Sequence, residues 1–493
     1  MGRIIKFFWF ICIIFSPVQL MSQEMLGITS SNYAGSNANI INPSSMIVSK
    51  VFMDANLLTG DIFANSNYLY IHGNDYRPFS YLKKDPQFPE YGDDNQAFDH
   101  YYDKDLKFAN TSVRMIGPSG FIVYNDHAFA LQTQVRTFVS ADRAPYDIAN
   151  FAYEGLDYAP QHNINFDDED FSLAAMAWGE IDLSYAHTFY KFAHDQFSFG
   201  VTFKYLMGYS GGFLTANNLN YVVYNDSTAN IMNFDAQAGI SLPVDYSNND
   251  FPYGTTFKGS GFGMDLGITY VRTVKGHSNR RYKRLCAQPY SNYYYKIGVS
   301  LLDIGGITFK DNAQLHAFDN VSHYWERIDT VHFYDINYLV DDLSSRFYGD
   351  PNASLLDNQF RLGLPAAFSL QIDYHLRRNW YVNGFFIYPV NLVENSLKRP
   401  EQAAIIPRFE TDEFEIAAPV SLYRLKDLRM GLSARIYYVT IGTEKLGSIL
   451  GLGGDFTGMD LYFSVKFSLG KGLCARSGGT YCHNLEYKKY QKK

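Results

Sequence analysis

From Phe197 to Met207 the chain alternates without a break. Phe197, Phe199, Val201, Phe203, Tyr205 and Met207 take one set of positions, and Ser198, Gly200, Thr202, Lys204 and Leu206 take the other. A strand turns successive side chains to opposite faces, so one face here is aromatic and greasy and the other is small, polar or charged. The pattern recurs: Ile181, Leu183, Tyr185 and Phe189 oppose Glu180, Asp182, Ser184 and Thr188, and Phe262 to Tyr270 alternates about Asp265. Further runs place Lys296, Asp373, Asp460 and Lys466 opposite apolar neighbours. Each run is near the roughly 9–11 residues that a tilted strand needs to cross a bilayer. A soluble sandwich or propeller would alternate too, but 17 % aromatic content with 40 Tyr and 39 Phe suits a wall facing lipid.

The expected fold is all-β: a transmembrane antiparallel β-barrel of about 14 strands, within about 12–16, carrying an N-terminal plug-like segment. Residues 1–22 read as a secretory signal, with Arg3 and Lys6 before an apolar core and a small-residue site ahead of Gln23. Residues 23–50 are Asn- and Ser-rich and are expected to form a lumenal hatch or a periplasmic segment. Residues 51–470 form the barrel, and 471–493 a basic tail. Short turns at 125–127, 193–195 and 376–379 contrast with long connections at 74–110, 141–178, 210–229 and 310–360. In barrels of this kind short turns face the periplasm. Both chain ends are then expected in the periplasm, and the strand number must be even.

Loss of Arg3 and Lys6 takes the net charge from −8 to −10, which argues against a nucleic-acid partner. Of the cysteines left after the signal, Cys474 and Cys482 are close enough in sequence to close a small loop, leaving Cys286 over.

The inward set carries both signs: Glu180, Asp182, Asp265, Asp373 and Asp460 against Lys204, Lys296 and Lys466, with Arg136 and Arg435 on the same parity. Mixed signs point to internal ion pairs that stiffen a barrel, whereas a one-sign lining would suggest an ion-selective pore. No catalytic constellation is expected. His375 has Ser369 and Asp373 on its strand face, but alternate residues stand about 7 Å apart, and no Gly-x-Ser-x-Gly elbow is present. His316, His323 and His332 match no zinc spacing, and Asp167-Asp168-Glu169-Asp170 lacks the ligand order of a calcium loop. No metal and no cofactor are expected. Aromatics beside acids and amides in the outer loops suit either a protein or glycan contact or the interfacial belt. The expected partners are outer-membrane lipid and a protein held through those loops.

Gly261-Phe262-Gly263-Met264-Asp265-Leu266-Gly267, followed by Lys296-Ile297-Gly298-Val299-Ser300-Leu301-Leu302-Asp303-Ile304-Gly305, resembles a family of uncharacterised Bacteroidota outer-membrane barrels. Leu364-Pro365-Ala366-Ala367 leading to Asp373-Tyr374, and Ile441-Gly442-Thr443-Glu444 leading to Asp460-Leu461-Tyr462-Phe463, carry the same likeness. That family is similar in turn to long-chain fatty-acid transporters and to barrels associated with type IX secretion. The transporters carry Asn-Pro-Ala in a lumenal hatch; Asn42 and Pro43 match it and Ser44 departs. The resemblance implies an outer-membrane transporter of hydrophobic or amphiphilic small molecules. The alternative is a non-transporting barrel that serves a surface or secretion complex as scaffold.

Overall fold

The parity read along the strands becomes the wall of a closed cylinder. The computed structural model describes residues 24–72, 98–277, 281–328, 334–451 and 454–472. The signal, Cys12, Arg280, His332, Cys474, Cys482 and the tail beyond residue 472 lie outside them.

Fourteen antiparallel staves follow one another in chain order. They are β1 (Val51–Ser66), β2 (Lys107–Ile116 continued by Ser119–Tyr124), β3 (His127–Ala144), β4 (Asn165–Phe192) and β5 (Asp195–Asn225). Next come β6 (Thr228–Ser241, then Gly259–Thr273), β7 (Tyr293–Phe309, then Ala313–Glu326) and β8 (Leu355–Asp357, Phe360–Gly363 and Ala367–Arg377). The rest are β9 (Trp380–Pro389), β10 (Gln402–Glu410), β11 (Phe414–Ala417 with Val420–Tyr423), β12 (Asp427–Met430 with Leu432–Ile436), β13 (Val439–Thr443) and β14 (Gly458–Gly470). The last stave pairs with the first, Val51 opposite Gly470 and Asn65 opposite Gly458, so the ring has no open edge. An even count brings both ends of the cylinder wall to one side.

That side holds the tight turns, with Asn125, Ala193 and Arg378 in left-handed backbone conformations. It also holds residues 274–277 and 281–292. The other side, the long-loop end, carries helices α1 (Tyr146–Glu154) and α2 (Ile336–Tyr348).

Burial is inverted relative to a soluble protein. Phe262, Phe203 and Leu183 are 74 %, 59 % and 58 % exposed on the outer surface. Glu180, Asp182, Lys204, Asp265, Asp373, Asp460 and Lys466 are buried on the inner one, and Lys296 nearly so. Among the described residues no helix is long and apolar enough to cross a membrane. The wall does so instead, because a closed ladder satisfies every strand's backbone groups without water.

Two expectations are corrected. The connection at 210–229 is mostly strand, and 141–178 is strand at both ends around helix α1: β4 and β5 run 28 and 31 residues and pair far beyond the apolar belt. Likewise 313–326 is strand and 336–348 helix. The hydrophobic alternation stops at the edge of the belt, but ladder pairing needs only backbone donors and acceptors. Cys286, expected to be left over, is disulfide-bonded, with its partner outside the described residues.

Candidate functional site

Residues 24–50 form short helical turns, Leu26–Thr29, Gly35–Ile40 and Pro43–Val48, and nearly every residue is buried. Their polar side chains bond to the inward face of the wall around much of its circumference. Asn39 Nδ2 donates to Ser184 Oγ at 3.3 Å, Asn37 Nδ2 to Thr59 Oγ1 at 3.2 Å, and Asn32 Nδ2 to Glu410 Oε2 at 2.9 Å. Glu444 accepts from the Leu26 amide at 2.8 Å. Lys466 donates to the Tyr33 and Ala34 carbonyls and pairs with Asp54 at 3.5 Å.

Asn42-Pro43-Ser44 has a fitted seat. Asn42 caps the turn it precedes, its Oδ1 accepting from the Ser44 amide at 3.0 Å, and Pro43 occupies the first position, where no amide is needed. Asn42 Nδ2 donates to Gln371 Oε1 at 3.0 Å, and the Ser44 and Thr269 hydroxyls lie 2.6 Å apart. Beneath are three glycines on adjacent staves. A Cβ at Gly200 would stand 2.5 Å from the Pro43 carbonyl carbon, at Gly298 2.7 Å from Asn42 Nδ2, and at Gly267 3.0 Å from Pro43 Cδ. Only glycine lets the segment lie this close.

A second segment enters from the long-loop end. Residues 390–401, between β9 and β10, fold inward: Leu397 joins an apolar cluster with Phe138, Trp178, Phe309 and Phe360, and Arg399 reaches the charged layer below. The centre of that layer is Asp303. It takes a bidentate pair from Arg136 at 2.9 and 3.0 Å, Lys204 at 2.6 Å and Arg399 at 2.7 Å. Lys204 also meets Asp265 at 2.9 Å, and Arg399 meets Glu24 of the N-terminal segment at 3.3 Å. The two inserted segments thus touch inside the barrel. Buried charges persist only when paired this fully.

A second charged layer lies toward the turn end. Asp373 receives Arg408 at 2.9 Å, Lys296 at 3.2 Å and the Tyr293 hydroxyl at 2.7 Å. Arg408 also holds Glu410, which takes Lys50 at 3.1 Å.

The sequence-derived candidates therefore divide among distinct sites. Glu180, Lys204 and Asp265 belong to the Asp303 layer, where Glu180 accepts from Trp178 Nε1 at 2.8 Å. Asp182 stands beside it, bonded to Gln134. Lys296 and Asp373 form the lower layer, Lys466 holds the N-terminal segment, and Asp460 accepts the Glu444 amide. Asn42 and Pro43 sit in the glycine seat. Asp303, Arg399 and Glu24 escaped sequence reasoning. His375 is spent on two backbone carbonyls, those of Tyr293 and Arg378, and His316 bonds Ser354.

The family model described as "Family of unknown function (DUF5723)" matches residues 43–444, a span that opens on Pro43 and closes on Glu444. No curated protein matches the chain. Among solved structures, a deletion mutant of the TodX monoaromatic hydrocarbon channel aligns at 10 % identity over 89 % of this chain and 95 % of that one, with a TM-score of 0.43. The Pseudomonas putida toluene transporter TodX aligns at 10 % identity over 91 % and 98 %, TM-score 0.36. A Pseudomonas aeruginosa FadL homologue aligns at 9 % over 92 % and 99 %, TM-score 0.22. At this identity and score these likenesses carry no argument.

Proposed function

The chain belongs to the DUF5723 family of unknown function, and from that premise we propose that it is an integral outer-membrane β-barrel that passes small hydrophobic or amphiphilic molecules, with residues 24–50 as its hatch. The long-loop end faces outward and both chain ends lie in the periplasm. The observation that carries this reading is the seat of Asn42-Pro43-Ser44 on Gly200, Gly267 and Gly298. It is a fitted but non-covalent closure, made largely of hydrogen bonds that are each worth about 0.5–1.5 kcal/mol net. Water can replace such bonds one by one as the segment lifts.

The test is to tie the hatch to the wall by joining Ser44→Cys to Thr269→Cys. Uptake of the amphiphilic dye N-phenyl-1-naphthylamine is then followed in cells carrying the barrel. The reading expects slow uptake in the oxidised double variant, restored by reductant, with neither single variant responding. Equal uptake in both redox states sinks it.

A scaffold reading has its own support: the two inserted segments and two ion-paired layers fill the lumen. A stoichiometric partner recovered with the barrel in mild detergent, bound through the long-loop end, would favour it.

A further inference from the structure

The turn end carries a cavity of about 640 Å³ that borders the lower ion-paired layer through Tyr293 and Lys296. Its roof is Ile47 and Val48 of the N-terminal segment together with Lys296, and its floor and rim come from 273–277, 281–282 and 288–293. Val48 and Lys296 also line the small inner cavity of about 50 Å³ beside Asn42, so the two spaces adjoin.

The lining is strongly cationic. Lys191, Lys275, Arg281, Lys296 and Lys471 face the cavity, and Asp126 is the one carboxylate among its described lining residues. Asp126 is taken by Lys191 at 3.2 Å, and Lys296 by Asp373. Lys275, Arg281 and Lys471 have no carboxylate within ion-pair reach among the described residues. Among the described residues Lys471 Nζ donates to the Ile47 carbonyl alone, at 3.0 Å, and burial, with Lys191 nearby, lowers its ammonium to about 7. Inside the barrel, by contrast, Arg136, Lys204, Arg399, Arg408 and Lys466 each face a carboxylate. Lys275 and Arg281 are exposed at the rim and Lys471 is half-buried, and five cationic side chains against one carboxylate around a cavity this large mark a place for an anion from outside the chain.

We propose that this vestibule binds a phosphate-bearing organic anion. Three separate cations suit a multiply charged oxyanion better than a single carboxylate. Ser291 can donate to one of its remaining oxygens, and Tyr282, Phe189 and Val274 give its carbon skeleton an apolar wall. The volume exceeds that of a bare inorganic ion. The anion comes either from a free organic phosphate or from the headgroup of an anionic phospholipid. The proposal is independent of the transport reading, since a scaffold barrel would hold the same cavity.

The test uses the full-length barrel purified in neutral detergent, with glycerol 3-phosphate as the free probe and glycerol as the uncharged control, read by calorimetry. In parallel, nanodiscs of phosphatidylglycerol and of phosphatidylcholine are examined by native mass spectrometry for retained lipid. The triple variant K275Q/R281Q/K471Q should weaken glycerol 3-phosphate binding at least tenfold, or abolish selective retention of phosphatidylglycerol. The first result identifies a free phosphate as the source and the second a lipid headgroup. Either supports the site. Should the triple variant misfold, the exposed single variants K275Q and R281Q give the same reading, each expected to lower affinity several-fold. The proposal is overturned if neither probe binds above its control, or if binding is unchanged in the variants.

Discussion

Arg399 and Glu24 face each other 3.3 Å apart inside the barrel, where a loop from the long-loop end meets the N-terminal segment. Arg399 also holds Asp303 at 2.7 Å, so this one guanidinium joins both inserted segments to the wall. The contact makes closure of the lumen a joint property of residues 24–50 and 390–401.

The first prediction ranks the members of that layer. Asp303→Asn leaves Arg136, Lys204 and Arg399 buried without their shared carboxylate. Breaking a buried pair in this way costs about 3–5 kcal/mol. Glu24→Gln leaves Arg399 its bond to Asp303 and should cost about 1–3 kcal/mol. Guanidinium unfolding of the barrel in liposomes, followed by Trp fluorescence, should show that order. Equal midpoints for both variants and the parent would contradict it.

The second prediction concerns the glycine seat. A methyl at Gly200 meets the backbone of Pro43 and Ser44, which cannot rotate aside as a side chain could. Gly200→Ala should therefore lift the segment while leaving the ladder intact. The readout is limited proteolysis: residues 24–50 become cleavable and the barrel keeps its heat-resistant migration on gels. A variant as protected as the parent would show that the seat is not tight. Gly298→Ala should act more weakly, because its other neighbour is the movable Gln371 side chain.

The lumen was legible in the sequence where strands were regular. Lys204 could be placed inside because Phe203 and Tyr205 had to face lipid, and the exposures agree. Asp303 could not be placed in this way. Val299 and Leu301 are exposed on the outer face, so parity puts residue 303 outside as well. A bulge intervenes: Met264 pairs with Ile304 but Leu266 with Leu301, which inserts an extra residue into β7. Asp303 adopts φ 54, donates its amide to Asp265 at 2.7 Å and turns inward. Arg399 lies in a loop where no periodicity speaks. The glycines looked like ordinary small inward residues until the segment lying on them was known.

The third prediction tests the belt. Phe203 is exposed on the outer surface of β5, between Leu183 on one side and Met264 on the other. Phe203→Arg should destabilise the folded barrel in a bilayer by about 2–4 kcal/mol if this position lies near the midplane, whereas Phe203→Leu should stay within about 1 kcal/mol. Refolding yield into liposomes reads both. A tolerated arginine would mean that this face does not meet hydrocarbon.

The fourth prediction is a pH dependence at the turn end. His277 is tied to the wall through its amide, which donates to the Ala193 carbonyl at 2.7 Å. Free imidazole titrates near about 6.5. Here burial foremost, and then the positive neighbours Lys191 and His194, lower the value to about 4, against smaller opposing contributions from Asp126 and Asp195. Between these two values a detached segment takes up a proton that the seated one refuses. Seating is therefore strongest above about pH 6.5, weakens as pH falls toward 4, and changes no further below that. Hydrogen–deuterium exchange of peptides covering 274–277 and 281–291, corrected for intrinsic rates, should show protection falling across that window. His277→Asn should flatten the profile while leaving exchange in β4 and β5 as it was. A parent profile already flat between pH 7 and 4 would show that His277 does not hold this segment in place.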